Sequence, residues 1–311
     1  MTTFPNEDFR RMVPLLREKR FYESVEPRTI SWPHYSSSLI EEATETLDFI
    51  RDAVDAVALV PSPGKVGKPL TCPRDLAKAV LLSEAFSFTE RGAQGWARIL
   101  GPCVGIVSRL DDRTIGDAYG RLEVLLILKE VFVATKGSNG TLSGDGTGLE
   151  TSRKQNYEST KKAGEYMTSI IDSREIVQAF DVSGEQECRV MHKLLERVYG
   201  DSLRLDAGFN DRELVRKIAE KGMVPFVFPR KDNNLNGSVA WYSMYLSLFI
   251  DVMQWLTEYH QRSHCESFHS SFKSKYGIIT KRRNTSRLSQ ITARIILHNR
   301  RRLSYFKRLS G

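Results

Sequence analysis

Between residues 142 and 273 the apolar pattern changes period several times, and the order of the changes narrows the folds open to the chain. Residues 142–149, 166–171 and 176–182 read as strands, the last two joined by the turn Asp172-Ser173-Arg174. Residues 185–199 read as a helix closed by Gly200. A short strand over 202–206 runs into DAGFND. Asn210 is then placed to cap a helix, with Glu213 closing a capping box, and that helix stops at Gly222. MVPFVF at 223–228 is the next strand and 231–237 a polar loop. Residues 239–273 read as one long helix, apolar on most sides until about Leu256 and so buried in its first half. Three strands in hairpin order followed by βαβ units give an α/β fold, a mixed sheet with helices on its faces.

The stretch before it carries helical patterns only. Residues 1–35 are mixed and interrupted by proline, and 37–58 carry the apolar stripe Leu39, Ala43, Leu47, Ile50 and Val54. PSPGKVGKPLTCP at 61–73 reads as a linker or surface loop. Short helices are expected over 74–86, 89–100 and 112–128. That spacing allows a helix-turn-helix with residues 112–121 near its presented end, and small helical domains without DNA contact share it. KGSNGTLSGDGTG at 136–148 marks a boundary and is not a Walker A loop, because no GK[ST] ends it. The expected division is an all-α region over 1–135, with a possible DNA-binding helix-turn-helix, and an α/β domain with a basic C-terminal helix over 136–311.

Charge is distributed unevenly. Of the 46 Lys and Arg, 12 lie in residues 267–311, which contain no acid, leaving 34 basic against 38 acidic side chains in residues 1–266. The whole positive excess of +8 therefore sits in the last 45 residues. Such a segment suits a polyanion, and the clusters Lys281, Arg282, Arg283 and Arg300–Arg302 are its densest points. Ile291, Ile295, Ile296 and Leu303 fit an apolar stripe, so the last helix is expected to pack while its arginines face outward. A membrane surface is the rival partner, but no apolar anchor lies beside the basic run. The first 22 residues are charged, unlike a signal peptide, and the longest apolar run is broken by Asp251 and Gln254. A cytoplasmic chain without membrane contact is the expectation. Cys72, Cys103, Cys188 and Cys265 form no CxxC pair, so neither a disulfide framework nor a structural zinc site is expected.

Within YHQRSHCESFHSSFK at 259–273, at about 100° per residue Tyr259, Arg262, Glu266 and Lys273 fall within about 60° of one another. A phenol, a guanidinium, a carboxylate and an ammonium on one face suit a site that holds a hard cation and a phosphate backbone together. An amphipathic helix with a wet face satisfies the same spacing. His260, His264, Cys265 and His269 crowd the segment and suggest zinc, but the first two point well away from Glu266 and read as packing or exposed histidines.

Asp145 lies in the first strand, Asp206 at the end of the fourth and Glu266 on the last long helix. If the first strand is central, the first and fourth are neighbours, and a helix across them can bring Glu266 beside both aspartates. Three converging carboxylates repel unless cations are bound. Two Mg²⁺ ions about 3.5–4 Å apart satisfy that charge, and oxygen-only ligands favour Mg²⁺ or Mn²⁺ over zinc.

GDGT around Asp145, LDAGFND around Asp206 and the fully matched Y-x2-R-x3-E-x6-K from Tyr259 to Lys273 resemble prokaryotic insertion-sequence transposases of the DDE superfamily, in the branch carrying the YREK signature. The resemblance covers residues 142 to the C-terminus, and more loosely PRDLAKAVLLSEAF and DDRTIGDAYGRL. It implies an RNase H-like catalytic domain that cuts and joins DNA with divalent metal. Asp145, Asp206 and Glu266 would be the catalytic metal ligands, for two Mg²⁺ ions that Mn²⁺ can replace. Tyr259, Arg262 and Lys273 would hold the transposon-end DNA. Double-stranded end and target DNA would be the partners of a homodimer or larger assembly formed on DNA, near the nucleoid. Some relatives carry a β-rich insertion between the fifth strand and the last helix; here about ten residues, 229–238, stand in its place. Two rivals are a non-catalytic DNA-binding regulator derived from a transposase and an RNase H-like nuclease without strand transfer. The intact acids and YREK set favour the enzyme.

Overall fold

The computed structural model describes residues 6–18, 30–58, 71–137, 140–154 and 162–310. Residues 61–70 of the expected linker lie outside them. In chain order come the helices α1 (Asn6–Leu15), α2 (Trp32–Ile40), α3 (Glu42–Asp55), α4 (Pro73–Ala85), α5 (Glu90–Leu100), α6 (Asp112–Ala118) and α7 (Leu122–Ala134). Strands β1 (Thr141–Lys154), β2 (Lys162–Asp172) and β3 (Val177–Val182) follow, then α8 (Glu187–Leu195), β4 (Ser202–Leu205), α9 (Arg212–Glu220) and β5 (Val224–Val227). The chain closes with α10 (Val239–Ile250), α11 (Val252–His260), α12 (Ser263–Tyr276) and α13 (Asn284–Ser310).

Five strands form one sheet in the order β3-β2-β1-β4-β5. β2 and β3 are antiparallel, while β4 runs parallel to both β1 and β5. This is a mixed sheet consistent with the RNase H-like fold that the resemblance implies, and its first strand is central. The register aligns Gly144 with Leu205. Asp145, inside β1, and Asp206, the first residue past β4, are each the next residue along and so stand at the same level.

The Cα positions divide into two compact units, each assembled from three stretches of sequence. The first comprises Met1–Ile30, Gly137–Gly148 and Tyr166–Ser270. Its core gathers Leu142, Leu203 and Leu205 from the sheet, Met191 and Leu194 from α8, Leu214 and Ile218 from α9, and Tyr245 and Leu248 from α10, all fully buried. Each such side chain contributes about 1.5–3 kcal/mol by leaving water. Phe9 and Val13 of α1 complete the same core.

Two local expectations change in this unit. The helix expected over 239–273 is three helices. Asp251 adopts an extended conformation and its carboxylate accepts the Gln254 N–H, so it caps α11 instead of continuing α10. A second break falls at Gln261–Arg262, before α12. The cap of α9 is Asp211, which accepts the Leu214 N–H, and not Asn210. The Asn210 amide instead donates to the Phe228 carbonyl at 3.1 Å and the Tyr245 hydroxyl at 2.8 Å, tying the loop after β4 to β5 and α10.

The second unit comprises Ser31–Lys136, Leu149–Glu165 and Ser271–Gly311. The helices expected over 37–58 and 112–128 are each two, α2 with α3 and α6 with α7. α13 packs against α7, α4, α2 and α3. Ile291, Ile295 and Ile296 are buried there as their spacing predicts. Its arginines do not all face outward, which corrects the expectation. Arg294 and Glu84 pair at 2.6 Å, both more than nine-tenths buried, and Glu84 also accepts from the Tyr119 hydroxyl at 2.7 Å. Arg300 pairs with Glu45 at 2.5 Å, Lys275 with Glu42 at 2.8 Å and Arg287 with Glu165 at 2.9 Å. The acids that neutralise the basic tail come from far away in sequence, where a count of local charge does not find them.

Candidate active site

Two glycines shape the strand that carries Asp145. A Cβ on Gly144 would stand 2.7 Å from Leu205 Cδ2 and 2.8 Å from Met191 Cε. A Cβ on Gly146 would stand 2.6 Å from the Tyr166 ring. Only hydrogen fits on either side of Asp145, so α8 and the Tyr166 ring close directly over the backbone. Asp145 Oδ1 accepts its neighbour's N–H, from Gly146, at 2.8 Å. Asp206 caps the short 3-10 turn Ala207–Phe209 by accepting the Gly208 N–H, which fixes the second carboxylate at the end of β4.

Arg262 sits between the other two acids. Its Nη1 lies 3.1 Å from Asp145 Oδ2 and its Nη2 lies 2.5 Å from Glu266 Oε1. Asp145 is mostly buried, whereas Glu266 is exposed. Burial raises the Asp145 carboxyl above its ordinary value, the Gly146 N–H and Arg262 oppose the rise, and the fields of Asp206 and Glu266 add to it. Burial weakens the Arg262 cation, but Tyr259, Asp145, Glu266 and Asp206 outweigh it and push its pKa up. These mutual fields bring the three predicted acids into one electrostatic cluster, with a guanidinium as its internal counter-ion.

A cavity of ≈ 560 Å³ opens here, lined among others by Asp206, Tyr259, Arg262 and Glu266, with Arg17 and Phe228 at its wall. The break before α12 means that Tyr259 does not share a continuous helical face with Glu266. It ends α11, buried against Phe228 and stacked on Trp255, with ring centroids at 5.1 and 5.4 Å. α12 is held to the sheet by buried Cys265, whose Sγ donates to the Ser143 carbonyl at 3.2 Å, and by His269, 3.1 Å from the Ser169 hydroxyl. Those contacts account for two of the residues that suggested zinc.

Lys273 is exposed in the last turn of α12, two turns beyond Glu266. Lys281 is mostly buried in the helical unit, 2.5 Å from Glu90 and 3.9 Å from the Tyr119 ring centre, whereas Arg282 and Arg283 are exposed. In the region expected to present a helix-turn-helix, Arg113 and Asp117 of α6 are exposed, and α7 exposes Leu122, Glu123, Leu126, Lys129, Glu130 and Val133.

Tyr166 was not legible as a site residue. Its phenol is pushed well above its ordinary range by burial, by a hydrogen bond to Glu187 and by the fields of Glu187, Asp145 and Asp206. It therefore stays a neutral donor beside both aspartates. Its sequence signal was only that of an apolar strand position.

The all-oxygen donor set of Asp145, Asp206 and Glu266, with its surplus of negative charge, fits hard divalent cations. The transposase DDE domain family model matches residues 140–300. The probable transposase for insertion sequence element ISA1214 of Archaeoglobus fulgidus is 24% identical over 285 residues, covering 86% of each chain. No solved structure matches the chain significantly.

Proposed function

This chain belongs to the DDE transposase family, and from that premise we propose that Asp145, Asp206 and Glu266 are its catalytic metal ligands. The protein is a DNA transposase of the insertion-sequence type. Transposases of this family generally use divalent metal, and DNA is their partner. No described helix is long and apolar enough to cross a membrane.

The observation that carries the assignment is the register of β1 on β4. With Gly144 level with Leu205, Asp145 in β1 and Asp206 just past β4 are neighbours, and Arg262 links Asp145 to Glu266, which supports a shared role for the three acids. The three carboxylates would hold two Mg²⁺ ions, which Mn²⁺ can replace. Held by these carboxylates, such ions would supply Lewis-acid stabilisation for an in-line displacement at phosphorus. The chain's own residues do the positioning. Asp206 is oriented by its turn and Asp145 by the two glycines. The Arg262 fork, which neutralises the acids in the free protein, is placed to take a phosphate oxygen when DNA enters the cavity. Tyr259 forms the aromatic wall, and Lys273, exposed on α12, is a further DNA contact of the YREK set. Arg282 and Arg283 add sequence-independent backbone contact, with Lys281 ordering the segment beneath them.

The reaction is cleavage at transposon ends followed by strand transfer into target DNA. Both ends must be held at once, so the active assembly on DNA is a homodimer or larger, working in the cytoplasm on nucleoid DNA. The test is Mg²⁺-dependent nicking of DNA carrying the element's ends, then joining of a pre-cut 3′-OH end. Nicking without joining would leave a nuclease. No nicking by the wild-type chain with either Mg²⁺ or Mn²⁺ would remove the assignment.

A further inference from the structure

One cluster outside this site has a different chemistry. Cys188 and His192 stand four residues apart on α8, so they share one face of the helix. Asp211, the cap of α9, reaches the same point. One ligand atom from each of the three lies within 4.8 Å of the others. Among the described residues this is the group of His, Cys, Asp and Glu side chains that comes together so closely.

The cluster is joined by one internal hydrogen bond, from the Cys188 thiol to Asp211, and its imidazole stands at ligand-to-ligand distance from the same carboxylate. His192 Nε2 is 3.7 Å from Asp211 Oδ1, too long for a hydrogen bond. Bond lengths of about 2.0–2.3 Å at a tetrahedral zinc ion give ligand-to-ligand edges of about 3.3–3.8 Å. Among the described residues, His192 Nδ1 is buried with no hydrogen-bond partner. Asp211 spends Oδ1 on the Leu214 N–H, and a carboxylate keeps further lone pairs for a cation. The Cys188 thiol bonds to the same carboxylate.

We propose that Cys188, His192 and Asp211 bind one borderline-soft divalent cation of the Zn²⁺ class, distinct from the hard-cation site at Asp145, Asp206 and Glu266. Thiolate, imidazole and carboxylate select such an ion over Mg²⁺. Binding replaces the thiol proton: one S–H bond breaks, one metal–sulfur bond forms, and one proton leaves to solvent. Three protein ligands leave a fourth position for water. The ion would clamp α8 to the start of α9, on either side of the turn that Asp206 caps. Its binding does not depend on the transposase reading, so failure of one leaves the other standing.

The experiment titrates the full-length, reduced protein with Co²⁺ in the presence of excess Mg²⁺. One equivalent should bind with a thiolate-to-cobalt charge-transfer band in the near ultraviolet and release one proton. Cys188→Ser should abolish the band. His192→Gln and Asp211→Asn should weaken binding by more than about tenfold, since even the loss of a group that only orients a ligand costs about 10–100-fold. Asp211→Asn keeps the cap, so circular dichroism separates lost binding from lost folding. Asp145→Asn should leave the band unchanged. Absence of the band in the wild type, its persistence in Cys188→Ser, or its loss in Asp145→Asn would each overturn the site.

Discussion

Arg262 donates to Asp145 across 3.1 Å while its other terminal nitrogen holds Glu266. A cation arriving among the acids competes with that guanidinium. Arg262→Ala should therefore tighten Mg²⁺ binding measured by calorimetry while cleavage of end DNA falls. The expected loss of cleavage is about 10–150-fold, equivalent to about 1.5–3 kcal/mol for a charge-assisted contact. Arg262→Lys should rescue incompletely, because an ammonium cannot form the fork. A fall in Mg²⁺ affinity would show that Arg262 organises the acids and does not merely balance them.

Asp145→Asn, Asp206→Asn and Glu266→Gln should each abolish metal-dependent cleavage and keep the fold and most DNA affinity. The three differ in one respect. Asp206 caps a turn through a side-chain oxygen that Asn retains, so Asp206→Ala should cost about 0.5–2 kcal/mol of stability that Asp206→Asn does not. Thermal melting of the pair distinguishes the capping role from the catalytic one.

Gly146 admits no methyl group because the Tyr166 ring is there. Gly146→Ala should destabilise by about 1–3 kcal/mol through overpacking. Adding Tyr166→Ala should restore part of that loss, giving a coupling of about 0.5–3 kcal/mol in a denaturation double-mutant cycle. Strict additivity would mean that the ring can simply step aside.

His260 has its pKa lowered by burial. The unfolded chain then binds a proton more readily than the folded one, so stability is complete above the ordinary histidine value and is lost as pH falls through it. His260→Gln should flatten this acid-side loss between about pH 7 and the depressed folded pKa. Parallel melting curves for wild type and variant across that window would show that His260 does not contribute.

Arg282 and Arg283 are exposed, and Lys281 is held by Glu90. Replacing both arginines by alanine should lower the slope of log K against log salt for DNA by about 2, near 1 per lost phosphate contact. Lys281→Ala should instead lower stability more than the slope. The reverse pattern would move the DNA track to Lys281.

The succession of strands along the chain and the strand contexts of both aspartates are legible because the glycines and turns around them are local signals, whereas the central place of the first strand enters only as a condition. Those same signals could not say why GDG brackets Asp145, since Leu205, Met191 and Tyr166 arrive from other elements. In the sequence Asp251 interrupts an apolar helical run, although Asp three residues before a free N–H is also a cap; local sequence does not decide between the two. The division expected at residues 135 and 136 is a single cut, whereas each compact unit draws on three stretches. The tail's acidic partners were invisible for the same reason, and so was Asp211 as a companion of Cys188 and His192.

α13 lies among the helices of its unit although it follows all of them in the chain. During synthesis α2 to α7 therefore leave the ribosome without the partner that covers them. Their apolar faces wait through roughly 150 further residues, about 8–30 s at about 5–20 residues per second. A chain that stops short of residue 284 would have neither that cover nor the counter-charges for Glu45 and Glu84. Premature termination should thus yield an aggregation-prone fragment and not a free helical domain.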